Sequence, residues 1–415
     1  MISDSEVTAV ILNNYCYPQG GASRVVIDEA VELSSLGVKV KFIGAVGPVC
    51  RELQSSDIEV SCLNQTDLAD GSHAPAVMLQ GLWNTQAYKV VDSILAELDP
   101  RLTIIHLHGF TQALSSSPVR CALKRGFEVV YTMHDFFTAC PNGGFYDYVE
   151  RSICQRRALS LRCIAANCDK RRYAHKLYRV ARSMVQLHLG RIPSGIKNYI
   201  GLSQRSTEVI LPYLPPDVRI FSLPNAIAIE KGPPVSVAKN RRVVAVGRLD
   251  PEKGVRVLLE AAANSDMELV LIGDGPLRTE AESRKNTRVT GWLPRDSVVK
   301  EMEQARCLVF PSLWYETFGL AVDEAAAKGI PAIVTESSAA AERVIHGKTG
   351  WCVKAGDVDE LARHLRQIED DALVERAGEA AYDDFWSRRA TPQSHAAELR
   401  HIYREILDAR KCSCV

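Results

Sequence analysis

Short apolar runs alternate with amphipathic stretches along most of this chain, and that alternation constrains the fold more than any other feature. In the first half, apolar runs predict buried strands at 7–12, 38–44, 102–108, 127–133, 198–203 and 218–223. Between the first two runs, Val26, Ala30 and Leu33 share one helical face, and Gly37 ends the pattern. Strands that alternate with helices predict βαβ units around a parallel sheet.

A proline-rich stretch near 212–240 interrupts this pattern, and a second series of apolar runs follows it: RRVVAVG, MELVLIG, RVTG, CLVFPS, PAIVTE and GWCVK. The length of 415 residues is enough for two or three domains. We therefore predict an α/β protein with two Rossmann-like, doubly wound domains at 1–224 and 225–386. A last amphipathic helix is predicted within 387–415.

Composition and charge exclude several classes of protein. Hydrophobic residues make up 46% of the chain and charged residues 24%, which excludes intrinsic disorder and disulfide-bonded scaffolds. Fifty basic and fifty acidic residues give a net charge of zero, so no nucleic-acid partner is expected. The N-terminal MISDSEVTAVILNN lacks the basic start of a signal peptide, and no apolar run is long enough to predict a transmembrane helix. We therefore expect a cytoplasmic protein.

One segment, residues 151–197, is strongly basic. It contains twelve Lys or Arg residues and a single acid, Asp169, which gives it a net charge of +11. One interpretation is a solvated helix face. The other is a contact surface for anionic lipid headgroups or for a phosphate-bearing acceptor, and Tyr173, Leu177 and Tyr178 favour an interfacial helix. On the second interpretation, the protein is peripheral at the cytoplasmic membrane face.

Loops that follow predicted strands hold the candidate functional residues, because ligands of open α/β sheets bind beyond the carboxyl ends of the strands. In NNYCYPQGGAS, Gly20 and Gly21 allow the backbone to approach a ligand closely, although a tight turn would also use glycine. In GRLDPEKG, Arg248 and Lys253 suit a diphosphate that gains charge as it leaves. A surface pair without function is the alternative.

A further loop lies in PSLWYETFGLAVDEAAAKG, where Glu316 precedes a helix that Gly319 and Leu320 open. An acid near a helix N-terminus is favoured electrostatically, so helix capping is an alternative role for Glu316. Glu324 lies deeper in the same apolar helix. A carboxylate there needs hydrogen-bond partners, such as a pair of hydroxyl groups.

In their order and spacing, GRLDPEKG, GDGP (273–276) and ETFGLAVDE (316–324) resemble the donor-site signature of the retaining family-4 glycosyltransferases. The loop GGASR, the motif MHD (133–135) and the motif LPNAI (223–227) resemble other landmarks of that family. The resemblance implies a GT-B fold, in which two Rossmann-like domains face each other across a cleft. It also implies that the C-terminal helix crosses back to the N-terminal domain.

The resemblance implies a role for each matching residue. Arg248 and Lys253 would bind the donor diphosphate, Glu316 the sugar hydroxyls and Glu324 the ribose. Further donor-binding residues are implied at Gly20, Gly21, Gly247, Gly273, Gly319 and Leu320. The family uses such cations where other transferases use a divalent metal ion, so transfer is expected to need no metal or other catalytic cofactor.

Two histidines are candidates at the ends of predicted strands. His134, in YTMHD, corresponds to the active-site histidine of the family, and there it would hydrogen-bond a sugar hydroxyl or polarise developing charge. A structural histidine is the alternative. His108, at the end of IIHLH, and Asp135 are candidates on the acceptor side.

Four cysteines follow His134 in a basic, loop-rich insert that we place at about 136–197 of the N-terminal domain. They are Cys140, Cys154, Cys163 and Cys168. Four thiolates can hold one structural zinc ion, and a loop of this length needs something to order it. Unlinked thiols and disulfides are the alternatives.

The sequence therefore predicts a retaining enzyme that moves a hexose from a nucleotide-diphosphate sugar to a hydroxyl of a glycan or a lipid-pyrophosphate-linked glycan. One alternative is another GT-B enzyme, such as a sugar-nucleotide epimerase or a phosphorylase. A different alternative is a catalytically silent subunit that binds a sugar nucleotide. A dinucleotide dehydrogenase is excluded, since the glycine fingerprint is missing.

Overall fold

The computed structural model describes residues 7–68, 75–388 and 391–412. The chain divides into two compact units. The N-terminal unit consists of Met1–Gly143, Arg156–Ala226 and Thr391–Val415, and the C-terminal unit consists of Gly144–Gln155 and Ile227–Ala390.

The strands and helices of the described residues follow the alternation that the sequence predicts. The strands are β1 (Thr8–Tyr15), β2 (Lys39–Val46), β3 (Ile58–Cys62), β4 (Thr103–Leu107), β5 (Glu128–Thr132), β6 (Tyr146–Asp147), β7 (Ser152–Ile153), β8 (Asn198–Gly201), β9 (Arg219–Ser222), β10 (Arg242–Val246), β11 (Glu268–Ile272), β12 (Thr287–Gly291), β13 (Ala305–Phe310), β14 (Ala332–Thr335) and β15 (Gly350–Val353). The α-helices are α1 (Gly21–Ser35), α2 (Arg51–Gln54), α3 (Pro75–Leu82), α4 (Thr85–Ala96), α5 (Ser117–Lys124), α6 (Leu161–Ala165), α7 (Tyr173–Val185), α8 (Gln204–Ile210), α9 (Val255–Ala261), α10 (Arg278–Glu282), α11 (Arg295–Met302), α12 (Leu320–Ala327), α13 (Val358–Gln367), α14 (Asp371–Arg388) and α15 (Pro392–Cys412).

Each unit is built on one parallel sheet. The N-terminal sheet has the strand order β3-β2-β1-β4-β5-β8-β9, and the C-terminal sheet has the order β12-β11-β10-β13-β14-β15. All eight residues of β1 are buried, as expected for a parallel strand that is covered on both faces. The strand order reverses between β1 and β4 and again between β10 and β13. These are the points at which doubly wound sheets bind ligands.

Helix α1 shows how the predicted pattern becomes packing. Val26, Ala30 and Leu33 are buried, as their spacing predicts. The helix ends where Gly37 takes a φ of +82°, a conformation that favours glycine.

The last helix, α15, belongs to the N-terminal unit. Its residues Leu399, Ile402 and Tyr403 are buried in the same apolar core as Val26 and Ile104. None of the helices in the described parts of the chain is long and apolar enough to cross a membrane.

One part of the predicted N-terminal insert is grouped differently. The segment Gly144–Gln155, which contains the short antiparallel pair β6 and β7, belongs to the C-terminal unit. A methyl group on Gly144 would lie only 2.6 Å from the ring of Trp314, so the backbone of this segment lies directly against that ring. The segment therefore packs against a residue that is distant from it in the sequence but belongs to the same unit.

Candidate functional site

In the C-terminal unit, the two predicted phosphate-binding cations lie at the switch point of the sheet. Arg248 and Lys253 follow β10, and together with Gly247, Pro311 and Ser312 they line one pocket. The guanidinium of Arg248 is half-exposed and lies 2.8 Å from Asp250 and 3.8 Å from Glu252, both of which are buried. The chain therefore provides acids that hold the guanidinium at the mouth of the pocket.

Glu316 lies at the same switch point of the sheet, because it follows β13, the strand next to β10. Its Oε1 accepts hydrogen bonds from Lys253 Nζ at 2.7 Å and from the indole nitrogen of Trp314 at 2.8 Å. The hydroxyl of Ser312 also donates to it. Lys253 lies over the Trp314 ring, 5.1 Å from its centre. The structure thus joins two residues that the sequence places 63 positions apart.

Glycines bring the two loops into direct backbone contact. Gly254 has a φ of +72°, and a methyl group there would lie 1.9 Å from the carbonyl oxygen of Pro311. In the same way, Gly273 lies against the carbonyl oxygen of Gly247, which a methyl group on Gly273 would approach to 2.0 Å. Gly247 and Gly273 therefore serve the close packing of the loops that follow β10 and β11.

Helix α12 begins beside this pocket at Leu320. Gly319 precedes it with a φ of +114°, so the amide nitrogens of the first turn lack a side-chain cap. Glu324 lies one turn into the helix, and its Oε1 is 3.7 Å from Arg295. Burial raises the pKa of Glu324, and the charge of Arg295 lowers it only in part. Glu324 does not line the pocket around Lys253.

In the N-terminal unit, the candidates lie at the carboxyl ends of β1, β4 and β5, which are neighbours in the sheet. Gly20 has a φ of +90° and precedes α1, which begins at Gly21 without a side-chain cap. His108 and His134 meet, because Nδ1 of His108 lies 2.9 Å from Nε2 of His134. Burial lowers the pKa of His134 to about 4, so its imidazole is neutral at pH 7.

Asp135 directly follows His134 and is partly buried. Its Oδ1 accepts a hydrogen bond from the backbone N–H of Phe137 at 3.0 Å. Burial raises the pKa of Asp135 to about 6, although the Phe137 amide, the charge of Arg182 and the Tyr131 hydroxyl all act to lower it. The folded protein therefore binds this proton more tightly than the unfolded chain does.

Asp135→Asn is expected to stabilise the N-terminal unit at pH 8 and to leave it unchanged at pH 4. Stability falls as pH rises from about 4 to about 6, because the carboxyl must ionise in a buried place. This shift in the pKa of Asp135 corresponds to at most about 3 kcal/mol in the free energy of unfolding. Thermal unfolding at both pH values measures the difference, and Asp57→Asn, at an exposed aspartate of the same unit, should show none. A variant that is less stable than the wild type at pH 8 would contradict the prediction.

Sequence reasoning missed the residues behind the histidines. Glu29 on α1 and His395 on α15 are both buried, and Oε1 of Glu29 lies 2.8 Å from Nε2 of His395. The ring of His106 lies against that of His108, with centres 3.9 Å apart and planes tilted by 42°. Glu29 interrupts the apolar face of α1, and His106 interrupts the apolar run of β4. A polar residue in a buried run is the signal that could have identified both.

The four cysteines are divided between the units. Cys140, Cys163 and Cys168 are in the N-terminal unit, and Cys154 is in the C-terminal unit. In the N-terminal unit, the buried Lys176 lies 3.2 Å from the sulfur of Cys168 and 3.6 Å from that of Cys163. Burial acts to lower the pKa of Lys176, but the nearby thiols raise it above its usual value. The zinc site stays a prediction.

A different set of side chains comes closest to a metal-ligand geometry. Among the described residues, donor atoms of Glu29, His106 and His108 lie within 4.8 Å of one another. Both ring nitrogens of His106 are already in contact with hydroxyl groups. Nδ1 lies 2.6 Å from Tyr403 and Nε2 lies 2.7 Å from Thr132.

Comparison with known proteins agrees with the motifs. Residues 228–384 match the family model of the glycosyl transferases group 1. A GDP-mannose-dependent alpha-mannosyltransferase of Corynebacterium glutamicum is 30% identical over 188 residues, which are 44% of this chain and 45% of that protein. A glycogen synthase of Mycobacterium tuberculosis is 34% identical over 149 residues, which are 33% of this chain and 36% of that protein. This chain spans less than half of the length of the curated relatives that it matches.

Solved structures match nearly the whole chain. Sucrose-phosphate synthase from Thermosynechococcus elongatus superimposes with a TM-score of 0.72 at 18% identity and covers 97% of this chain and 100% of that one. The Anabaena protein HepE, solved in complex with UDP and glucose, gives a TM-score of 0.63 at 19% identity and covers 95% and 99%. At such identities the likeness shows the fold alone. It confirms the predicted α/β architecture with two parallel sheets.

Proposed function

We propose that this chain, which has the GT-B fold and whose residues 228–384 match the family model of the glycosyl transferases group 1, is a retaining hexosyltransferase. It takes a hexose from a nucleotide-diphosphate sugar and transfers it to a hydroxyl of a glycan or a lipid-pyrophosphate-linked glycan. The observation that carries this proposal is the cluster at the switch point of the C-terminal sheet, where Arg248 and Lys253 line one pocket and Lys253 contacts Glu316.

The chemistry of that cluster fits a leaving diphosphate. As the bond from the anomeric carbon to the diphosphate oxygen breaks, negative charge grows on the diphosphate, and two adjacent cations stabilise it. The carboxylate of Glu316, held by Lys253 and Trp314, is an acceptor for sugar hydroxyls. The acceptor hydroxyl attacks the face from which the diphosphate departs and gives its proton to the departing phosphate oxygen. The anomeric configuration is thereby kept.

Comparisons support a nucleotide-sugar donor. The related Corynebacterium protein is named for GDP-mannose, and HepE was solved with UDP and glucose. The nucleotide base is selected by backbone and loop contacts, which differ among such proteins. The panel experiment below therefore identifies the donor.

The test combines binding and transfer. Thermal unfolding with a panel of UDP-, GDP-, ADP- and dTDP-sugars should show stabilisation by one donor, about 2.7 kcal/mol at 100 times its dissociation constant. That donor is then incubated with glycan and lipid-linked acceptors, and NMR of the product reads the anomeric configuration. An inverted product, epimerised donor, phosphate-dependent cleavage or binding without any reaction would each overturn the proposal in favour of another enzyme or a silent binding subunit.

We further propose that the basic segment 151–197 contacts anionic lipid. Within the N-terminal unit, Lys170, Arg171 and Arg172 are exposed just before α7. Leu161 is 86% exposed and Leu177 is 43% exposed, which places apolar side chains among the cations. Exposed cations beside exposed apolar groups are typical of surfaces that bind membrane interfaces. Two predicted cations do not contribute, since Lys176 and Arg182 are buried.

Replacing Lys170, Arg171 and Arg172 together with glutamine is expected to reduce binding to anionic vesicles about 100-fold, at about 1 kcal/mol for each charge. The matched control replaces Arg284, Lys285 and Lys300, three exposed cations of the C-terminal unit, and should bind as the wild type does. Co-sedimentation with vesicles of increasing anionic lipid content, at low and high salt, measures both. Equal binding to neutral vesicles would contradict the proposal.

A further inference from the structure

A row of buried polar groups runs through the N-terminal unit and ends at His134. Nδ1 of His395 lies 2.9 Å from the carbonyl oxygen of Pro224, and its Nε2 lies 2.8 Å from Oε1 of Glu29. The other carboxylate oxygen, Oε2 of Glu29, lies 3.4 Å from Nε2 of His108. Nδ1 of His108 lies 2.9 Å from Nε2 of His134. At each of these contacts, the position of the hydrogen decides which group is the donor and which is the acceptor.

The positions of the hydrogens can be assigned from His395 onward. A carbonyl oxygen only accepts hydrogen bonds, so Nδ1 of His395 carries a hydrogen toward Pro224. Burial acts to lower the pKa of His395, but the hydrogen bond and the charge of Glu29 outweigh it and raise the pKa. Nε2 therefore carries a hydrogen as well and donates it to Oε1 of Glu29.

The same reasoning applies to the contact between Glu29 and His108. Nε2 of His108 and Oε2 of Glu29 are 3.4 Å apart and neither has a hydrogen-bond partner among the described residues, so this contact is electrostatic. The charge of the carboxylate favours a hydrogen on the nearer nitrogen of the ring, Nε2. Burial lowers the pKa of His108 well below its usual value, so the ring is neutral and has a single hydrogen. Its Nδ1 is then an acceptor, and Nε2 of His134 donates to it. Because His134 is also neutral, its own Nδ1 carries no hydrogen.

We propose that Glu29 and His108 are positioning residues that hold His134 in the Nε2–H tautomer, so that its Nδ1 accepts a hydrogen bond from a hydroxyl of a bound sugar. This rests on the proposed function, because it assumes that sugar hydroxyls reach His134. A carboxylate that orients a histidine through a second histidine does for this site what the aspartate does in a Ser-His-Asp triad.

His106 supports this arrangement instead of binding a metal. Its two nitrogens contact the hydroxyls of Tyr403 and Thr132, and its ring lies against that of His108 in a tilted arrangement. A metal ion between Glu29, His106 and His108 would have to displace one of these hydroxyl contacts. The rings of His108 and His134 are stacked, with centres 5.2 Å apart and planes 25° apart, and the tilted ring of His106 packs against His108.

The first experiment reads the tautomers directly and needs no activity. Long-range proton–nitrogen NMR spectra of histidine-labelled protein at pH 7, assigned by single substitutions, distinguish the two nitrogens of each ring. We expect His108 and His134 as neutral Nε2–H tautomers and His395 with both nitrogens protonated. A hydrogen on Nδ1 of His134, or a bound metal that is lost in Glu29→Gln, would overturn the proposal.

The second experiment measures catalysis with the donor and acceptor found as described above. Glu29→Gln is expected to lower kcat about 10- to 100-fold, the range for residues that orient a ligating histidine, with little change in the KM for the donor. In this variant, the NMR spectrum should show that His395 has lost its second hydrogen. Glu32→Gln is the matched control, since Glu32 is also on α1 and bonds Gln393 of α15 at 3.0 Å, and it should keep the wild-type kcat.

Substitution of His108 provides a rescue test. Gln at this position offers an amide N–H to Glu29 and a carbonyl oxygen to His134, whereas Leu has a similar volume but neither group. We expect His108→Gln to retain more activity than His108→Leu. Equal activity of the two, or a wild-type kcat in Glu29→Gln, would overturn the positioning role. Absence of transfer by the wild-type protein would instead contradict the proposed function, and the tautomers would still be decided by NMR.

Discussion

Arg248→Ala and Lys253→Ala are each expected to lower kcat about 100- to 1,000-fold, the range for removal of one preorganised donor to a developing oxyanion. The charge on the diphosphate grows during bond cleavage, so each cation interacts more strongly with the transition state than with the bound donor. Affinity for the donor should therefore fall less than kcat. In Lys253→Ala, moreover, Glu316 loses the ammonium that lies 2.7 Å from its carboxylate.

Steady-state kinetics with the donor and acceptor identified by the panel measure this effect. Arg256→Ala is the matched control, because Arg256 lies three positions beyond Lys253 and pairs with Glu280 at 2.8 Å. It should keep the wild-type kcat. Glu324→Ala should act mainly on donor binding, since ribose hydroxyls do not change charge during transfer. Unchanged turnover in both Arg248→Ala and Lys253→Ala, or an obligatory divalent cation for transfer, would contradict the assigned diphosphate site.

Gly254→Ala is expected to destabilise the C-terminal unit by about 3–5 kcal/mol, through backbone strain and a displaced loop. Gly254 has a φ of +72°, and the added methyl group would lie 1.9 Å from the carbonyl oxygen of Pro311. That carbonyl belongs to a loop that also carries Ser312, so the loop cannot move without disturbing the pocket. We expect loss of donor binding together with the loss of stability.

Gly347→Ala separates the effect of backbone strain from the effect of the contact with the Pro311 loop. Gly347 has a φ of +74°, and no atom of the described residues would lie within 4 Å of an added methyl group there. The substitution should therefore cost only the backbone strain, about 1–2 kcal/mol. Thermal or urea unfolding of both variants measures the difference. Equal stability of the two would show that the contact between Gly254 and Pro311 can relax at no cost.

The sequence allowed the parts of the site that lie close to strand ends to be predicted. Arg248 and Lys253 follow β10, and His108 and His134 follow β4 and β5, because parallel strands deliver their loops to one edge of a sheet. Periodicity cannot show which buried polar groups meet. Glu29 and His395 are 366 positions apart, and only the packing of α15 on α1 joins them.

The cysteine-rich insert was harder to predict for a different reason. Its strands are only two residues long, so hydrophobic periodicity gives no signal there. Residues 144–155 belong to the C-terminal unit, where Gly144 contacts Trp314, and a contact between positions so far apart leaves no local pattern in the sequence. Lys176 likewise reads as one more surface cation in a basic segment, although it is buried beside Cys163 and Cys168.

The contribution of α15 to the N-terminal core has a consequence for biosynthesis. Residues up to 226 leave the ribosome with part of their apolar core still lacking, because Leu399, Ile402 and Tyr403 are added only after residues 227–390 have been made. The C-terminal unit, whose segments apart from 144–155 are continuous from residue 227 to 390, has its complete core earlier. Nascent chains therefore pass through a stage in which the unit made first is the unit finished last, with an apolar surface exposed to chaperones.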